Sequence, residues 1–148
     1  MKIKNILFAT DFSENSALAF KSAKSLAKEH NARLLILFVQ KDTEDTRFHY
    51  SIALFSSENV KDVVNKNIEA HFSHFIENNA DDFKNYEKIV RHGKPFAEIL
   101  KLGEERSVDL IVVGSHGRTG IEHVIFGSTS ERLVRKSKTP VLIIPGEH

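Results

Sequence analysis

The chain alternates short apolar runs with longer amphipathic segments, and this alternation limits the folds open to it more than any other feature. The runs are continuous and aliphatic, as in LLILFV at residues 34–39 and LIVV at residues 110–113. Runs without polar alternation are typical of parallel strands that are covered on both faces. We therefore predict five strands, at residues 6–9, 34–39, 87–91, 110–113 and 141–144.

Helical periodicity fills the intervals between these runs. Apolar side chains recur there at the three- and four-residue spacing of one helix face. The predicted helices span residues 13–30, 57–78, 95–106 and 128–136. The resulting βαβαβαβαβ order predicts a single α/β domain over residues 1–148. We expect a doubly wound, mainly parallel sheet of five strands with helices on both faces.

Individual residues mark the ends of these helices. Asn31 is a plausible stop for the first helix, and Pro95 suits the first position of the third. The sequence Ser128-Thr129-Ser130-Glu131 has the capping-box pattern. It predicts that the Ser128 hydroxyl accepts a backbone N–H while Glu131 reaches back.

The composition excludes several classes of protein. None of the 148 residues is cysteine, which excludes a disulfide framework and a thiolate metal centre. Lys and Arg total 21 against 20 Asp and Glu, a balance that does not point to nucleic acid or an anionic membrane. The longest apolar run has six residues, far below the roughly 20 of a membrane helix. The first run is too short for a signal peptide, so we expect a cytoplasmic protein without membrane or nucleic-acid partners.

Glycine is concentrated in one loop. Four of the seven glycines, Gly114, Gly117, Gly120 and Gly127, follow the fourth predicted strand. The loop then opens a helix whose start is rich in hydroxyls, and free N–H groups at a helix N-terminus suit a phosphate. The P-loop and dinucleotide patterns are both absent from it. The spacing alone leaves two interpretations open, a phosphate site or glycines that serve only the turn.

A second loop, residues 9–13, follows the first predicted strand. In doubly wound sheets, ligands bind beyond the carboxyl ends of the strands, where the strand order reverses. Asp11 in this loop could face such a ligand or could cap the first helix.

The glycine spacing resembles a known family signature. Gly114-x2-Gly117-x9-Gly127-Ser128 is similar to the G-2x-G-9x-G-[S/T] pattern of the ATP-binding branch of the universal stress protein family. The resemblance runs the whole chain, through KNILFATDFSENSALA, LLILFV, VDLIVVGSHGRTG and TPVLIIP. It implies the strand order 3-2-1-4-5, which brings the Asp11 loop and the glycine loop to one switch point.

The resemblance also implies contacts for individual residues. Thr10 and Asp11 would line the adenosine end of a nucleotide, and Val39 would offer backbone groups to the adenine. The ribose and phosphates would be wrapped by Gly114, Ser115, Gly117 and Arg118. The phosphates would be held at a helix N-terminus by Gly127, Ser128, Thr129 and Ser130. Ala9 belongs to the same set but departs from the proline of many relatives, which implies a less rigid turn.

Other polar residues have simpler interpretations beside the functional ones. Arg118 could point into solvent instead of at a phosphate, and His116 fits a turn or backbone role better than a catalytic one. His71 and His74 lie three apart on a helix, but we predict surface histidines and no metal site. The basic cluster at the end of the fourth helix complements the helix dipole and includes Arg132, Arg135, Lys136 and Lys138.

The resemblance implies a nucleotide-binding regulator of the stress response. The ligand would be ATP, or ADP or AMP, with Mg²⁺ accompanying the nucleotide. One alternative is a slow Mg²⁺-dependent ATPase or nucleotidyl-transfer enzyme, and we assign no catalytic residue. Another is an interaction module with incidental nucleotide. The resemblance further implies a homodimer through the last strand, Val141–Ile144. Residues 40–57 are long for a loop, and we predict either a lid-like excursion or an early start to the second helix.

Overall fold

A computed structural model describes residues 1–41, 60–115 and 127–146. Its five strands form one sheet in the order β3-β2-β1-β4-β5, and every neighbouring pair is parallel. This confirms the predicted fold class and strand order. The strands are β1 (Asn5–Thr10), β2 (Arg33–Gln40), β3 (Tyr86–His92), β4 (Leu110–Gly114) and β5 (Val141–Ile144).

Four helices among the described residues connect the strands. They are α1 (Glu14–His30), α2 (Val60–Asn79), α3 (Pro95–Glu105) and α4 (Ser128–Lys136). The predicted bounds differ from these by one residue at most, apart from the start of the second helix. That start was predicted at residue 57, which lies outside the described residues.

Two apolar cores lie on opposite faces of the sheet. On one face, α1 and α2 pack against alternate strand residues such as Phe8 and Ile36. On the other face, α3 and α4 pack against the intervening residues, such as Leu7 and Leu35. Because β1 is covered from both sides, Ile6, Leu7 and Phe8 are fully buried. This explains why the strand carries a continuous apolar run instead of an alternating one.

The helix ends confirm one sequence prediction and correct another. Asn31 adopts the left-handed conformation, with φ of 51°, and ends α1 as expected. The capping box at α4 is wrong, because Gly127 occupies the N-cap in extended conformation and no side chain caps the helix. Ser128 therefore already belongs to the first turn. Glu131 instead accepts a hydrogen bond from Arg135 at 2.8 Å.

Asp109 joins the starts of the two central strands. Its Oδ2 accepts the backbone N–H groups of Lys4 at 2.8 Å and Asn5 at 3.0 Å. Its own N–H donates to the Asn5 carbonyl at 2.9 Å. The two donated backbone hydrogen bonds hold the pKa of the Asp109 carboxyl below its ordinary value. The ionised carboxylate thus ties β4 to β1 at the edge opposite the glycine loop.

Replacing Asp109 with Asn should destabilise the fold in a pH-dependent way. The folded-state pKa is depressed, so the stabilising contribution is present above the unfolded pKa of about 4 and is lost as pH falls through the folded value. We expect a loss of about 1 kcal/mol at pH 7, modest because the carboxylate is only part-buried. Urea unfolding of the wild type and D109N between pH 7 and pH 2 measures the difference.

The control is E104Q, which removes an exposed carboxylate of α3. The stability gap between D109N and wild type should narrow as the pH falls below 4, whereas E104Q should stay close to wild type throughout. A D109N gap that stays constant across this range would contradict the role of the charge.

Among the described residues, no helix combines the length and apolar character needed to cross a bilayer.

Candidate nucleotide site

A cleft of about 370 Å³ lies where β1, β2 and β4 end at their carboxyl edge. The strand order reverses between β1 and β4, which is the position where doubly wound sheets bind their ligands. All the predicted contact residues that the structure describes line this cleft: Ala9, Thr10, Asp11, Val39, Gly114, Ser115, Gly127, Ser128, Thr129 and Ser130. Residues 116–126 are not described, so Gly117, Arg118, His116 and Gly120 lie outside the described residues.

The loop after β1 is held by its own hydrogen bonds. The buried Thr10 hydroxyl lies 2.5 Å from the Ser16 hydroxyl and accepts the Phe12 N–H at 2.9 Å. Asp11 Oδ1 accepts the Ser13 N–H at 3.0 Å. Ser13, and not Asp11, is the N-cap of α1, and its hydroxyl accepts the Ser16 N–H at 3.2 Å. Asp11 therefore shapes the turn that precedes α1 and also lines the cleft.

Ser115 connects three segments beside the cleft. Its N–H donates to the Ile144 carbonyl at 2.9 Å, and its carbonyl accepts the Gly127 N–H at 2.7 Å. Its hydroxyl accepts the Gly146 N–H at 3.3 Å. The end of β4 is thereby joined to the end of β5, to Gly146 two residues beyond it and to the start of α4. With 4% exposure, Ser115 contributes mainly to the frame of the cleft.

Gly127 is favoured by close approach and not by positive φ. Its φ is −68°, which any residue adopts. A Cβ added here would lie 3.3 Å from the Ser115 carbonyl oxygen, a contact that would push the start of α4 away from β4. The glycine therefore lets α4 begin directly against the end of β4.

The first turn of α4 presents hydroxyls in two directions. Ser130 is buried, and its Oγ donates to the Gly114 carbonyl at 2.9 Å. Ser128 is exposed and Thr129 half-buried at the cleft. The N–H groups in the first turn of any helix lack intrahelical acceptors. The start of α4 thus offers the cleft a helix N-terminus with two accessible hydroxyls, whereas Ser130 holds the helix in place.

Apolar side chains also line the cleft. Leu37, Val39, Val113, Pro95 and Ile99 line it. Sequence reasoning found only Val39 among these. Leu37 shares a strand face with Val39 and could have been found from that alternation. Pro95 and Ile99 come from α3, whose crossing over the strand ends is set by tertiary packing.

Other polar residues that the sequence singled out lie outside the lining of the cleft. Arg132 and Lys136 lie over the Phe96 ring, at 4.9 and 5.8 Å from its centroid. On α2, His71 and His74 are exposed, and His74 Nε2 is 3.0 Å from the Asn78 amide nitrogen. Among the described residues, no group of three or more His, Cys, Asp or Glu side chains is arranged to hold a metal.

Comparison with known proteins identifies the family. The chain matches the model of the universal stress protein family over residues 2–145. It therefore belongs to the universal stress protein family, as the glycine signature predicted. Universal stress protein MJ0577 of Methanocaldococcus jannaschii is 29% identical and covers 95% of this chain and 94% of its own length. Universal stress protein YxiE of Bacillus subtilis is 34% identical, with 94% and 97% covered.

Solved structures agree with the fold. The structure of MJ0577 aligns with a TM-score of 0.83 at 28% identity, covering 100% of this chain and 99% of that one. A universal stress protein solved in complex with cAMP aligns with a TM-score of 0.72 at 25% identity, covering 98% of both chains. The second protein has thus been observed with an adenine nucleotide.

Replacing Ser130 with Ala should loosen the start of α4. The substitution leaves the Gly114 carbonyl without the hydroxyl that now donates to it. An unsatisfied group in a buried position costs about 1–2 kcal/mol. Urea unfolding of the nucleotide-free protein measures this loss.

S128A is the matched control, because it removes an exposed hydroxyl from the same helical turn. It should change the free energy of unfolding by less than about 0.5 kcal/mol. Equal losses in S130A and S128A would show that Ser130 has no special structural role.

Proposed function

We propose that this chain binds an adenine nucleotide, ATP with Mg²⁺ foremost, and acts as a nucleotide-dependent regulator of the stress response. The observation that carries the proposal is the convergence of the predicted contact residues on one cleft. They come from the ends of three strands and from the start of α4, and the cleft lies at the switch point where such sheets bind ligands.

The cleft lining offers suitable groups to both parts of a nucleotide. A purine base is flat and largely apolar, and it suits the apolar side chains of Val39, Pro95 and Ile99. Phosphates suit the start of α4, which offers N–H groups, a favourable dipole and the hydroxyls of Ser128 and Thr129. Asp11 adds a carboxylate to the cleft, an oxygen ligand of the type that Mg²⁺ takes with a nucleotide.

The family comparison supports an adenine base. A relative of the same fold, 25% identical over nearly its whole length, was solved with cAMP. Its ligand shares the adenosine and one phosphate with ATP, ADP and AMP. These ligands differ in the number and linkage of their phosphates, so we expect them to differ in their contacts at the start of α4.

A regulatory role fits the site better than fast turnover. The sequence lacks the P-loop lysine that bridges phosphates in many ATPases. Asp11 Oδ1 is engaged by the Ser13 N–H and shapes its own turn. Bound nucleotide then acts by stabilising one conformation of the loops around it, which is how a ligand shifts a population.

Mg-ATP should raise the thermal unfolding midpoint of nucleotide-stripped protein. A ligand that binds only the folded state at 100 times its Kd adds about 2.7 kcal/mol to the free energy of unfolding. The double variant S128A/T129A should weaken ATP binding about tenfold, because it removes two hydroxyl donors from the start of α4. Calorimetric titration measures both affinities.

Two comparisons sharpen this test. Adenosine has no phosphate, so S128A/T129A should bind it as the wild type does, and S25A on the exposed face of α1 should leave ATP affinity unchanged. No midpoint shift with millimolar ATP would rule out the proposed function. Turnover of many ATP molecules per minute would instead favour the enzymatic alternative.

We further propose that the chain forms a homodimer through β5. Among the described residues, β5 pairs only with β4 and lies at the sheet edge. Its sequence, VLII, is wholly apolar, whereas the opposite edge strand β3 carries charged residues such as Glu87, Lys88 and Arg91. Charged edge strands resist pairing, and uncharged ones invite it.

The ladder shows which β5 groups point away from β4. Ile111 donates to the Pro140 carbonyl and Ser115 to the Ile144 carbonyl, each at 2.9 Å. Parallel pairing uses alternate residues, so the backbone groups of Val141 and Ile143 point toward the outer edge. The side chain of Ile143 packs on the α3/α4 core, so a charge placed there would also disturb the monomer.

I143P should therefore convert the dimer to monomer while keeping the fold. Proline removes the outward N–H that pairing across the edge needs and leaves the bonds to β4 in place. Light scattering after size exclusion should give half the wild-type mass, with an unchanged circular dichroism spectrum. K88P, at an outward position of β3, is the matched control and should keep the wild-type mass. Unchanged mass for a folded I143P would contradict an interface at β5.

A further inference from the structure

Phe12 has an unusual backbone conformation for an aromatic residue. Its φ is 66°, in the left-handed region that Gly, Asn and Asp tolerate best. The residue follows Asp11 directly in the loop that lines the cleft. A bulky residue in this region costs free energy, and such a conformation persists only where its surroundings impose it.

The surroundings that impose it are aromatic. The Phe12 ring stacks on Phe38, with centroids 4.6 Å apart and planes at 19°. It meets Phe72 edge-on at 5.2 Å and Phe75 at 5.8 Å. Ring pairs at these distances are stabilising. The ring is thus anchored between β2 and α2, on the side of the loop that faces the α1/α2 core.

The backbone of Phe12 takes part in the hydrogen bonds of the loop that lines the cleft. The Phe12 N–H donates to the Thr10 hydroxyl at 2.9 Å. The next N–H, that of Ser13, donates to Asp11 Oδ1 at 3.0 Å. The left-handed conformation of Phe12 therefore lets its ring pack on the core while Thr10 and Asp11 line the cleft. The position before Thr10 is Ala9, which lacks the fixed φ of proline, so this residue does not lock the backbone that enters the turn.

We propose that Phe12 is a positioning residue for the nucleotide site. Its ring, clamped on Phe38 and α2, holds the Thr10–Asp11 turn in the geometry that presents Asp11 to the ligand. This inference rests on the proposed nucleotide function, because one of its two measurements is nucleotide binding. The clamp, by which the Phe12 ring holds the turn, rests only on the ring contacts described above.

The test compares F12G with F83L. Glycine accepts the left-handed conformation without strain, so F12G removes the clamp without adding a backbone conflict. Phe83 belongs to the same core and is only 7% exposed. F83L replaces its ring with a smaller side chain and controls for a general loss of stability. F12L carries the same test if F12G does not fold.

Two measurements are made well below the unfolding midpoints of both variants. In nucleotide-free protein, F12G should speed hydrogen exchange of the amides at residues 12 and 13 at least tenfold, and F83L should not. Titration with Mg-ATP should show at least tenfold weaker binding for F12G and a change within twofold for F83L.

The outcomes separate the two proposals. Unchanged exchange in F12G overturns the clamp, whether or not the protein binds nucleotide. Faster exchange with wild-type ATP affinity overturns the positioning role. If the wild type itself fails to bind any adenine nucleotide, the proposed function fails, and faster exchange confined to F12G still supports the clamp.

Discussion

The structure depends on the central position of β1, which is bonded to β2 on one side and to β4 on the other. Its core residues Ile6, Leu7 and Phe8 are fully buried, because helices cover both faces of the sheet. Helices α1 and α2 pack on one face, and α3 and α4 pack on the other. The helix after β1 and the helix after β4 therefore lie on opposite faces, and the cleft lies at the ends of these two strands.

Several motif residues form the frame of this cleft, because their hydroxyl or backbone groups bond to other parts of the protein. Thr10 bonds within the β1 loop, Ser130 bonds to the end of β4, and Ser115 joins β4, β5 and α4. All three are buried, and a buried hydroxyl is tolerated only when it has a partner. A family signature therefore records the frame of a site as well as its ligand contacts. Accessible polar groups of the described cleft, such as Ser128 and Thr129, are the better candidates for phosphate recognition.

The strands and helices depend on local pattern, so the sequence predicted them. The motif predicted residues that the structure brings together around the cleft, and their contact with a ligand stays a prediction. Several predicted strands were one residue too short at an end, because polar residues such as Asn5 and Thr10 still pair in the ladder. The start of α4 was predicted correctly, but its N-cap was assigned to Ser128 instead of Gly127, because glycine can also occupy an N-cap. The Asp109 clasp joins residues more than 100 positions apart, and Pro95 reaches the cleft through packing of α3. Neither follows from local spacing.

Gly127 has a different physical explanation from the usual one for a glycine in a turn, which is access to positive φ. Its backbone is extended, so any residue could adopt it, but a Cβ here would lie only 3.3 Å from the Ser115 carbonyl oxygen. The same carbonyl accepts the Gly127 N–H at 2.7 Å. Close contact and hydrogen bond together place the N-terminus of α4 against the end of β4, at the cleft. A larger residue would shift the start of α4 by a few tenths of an ångström, so this glycine sets the geometry of the cleft without presenting a side chain to it.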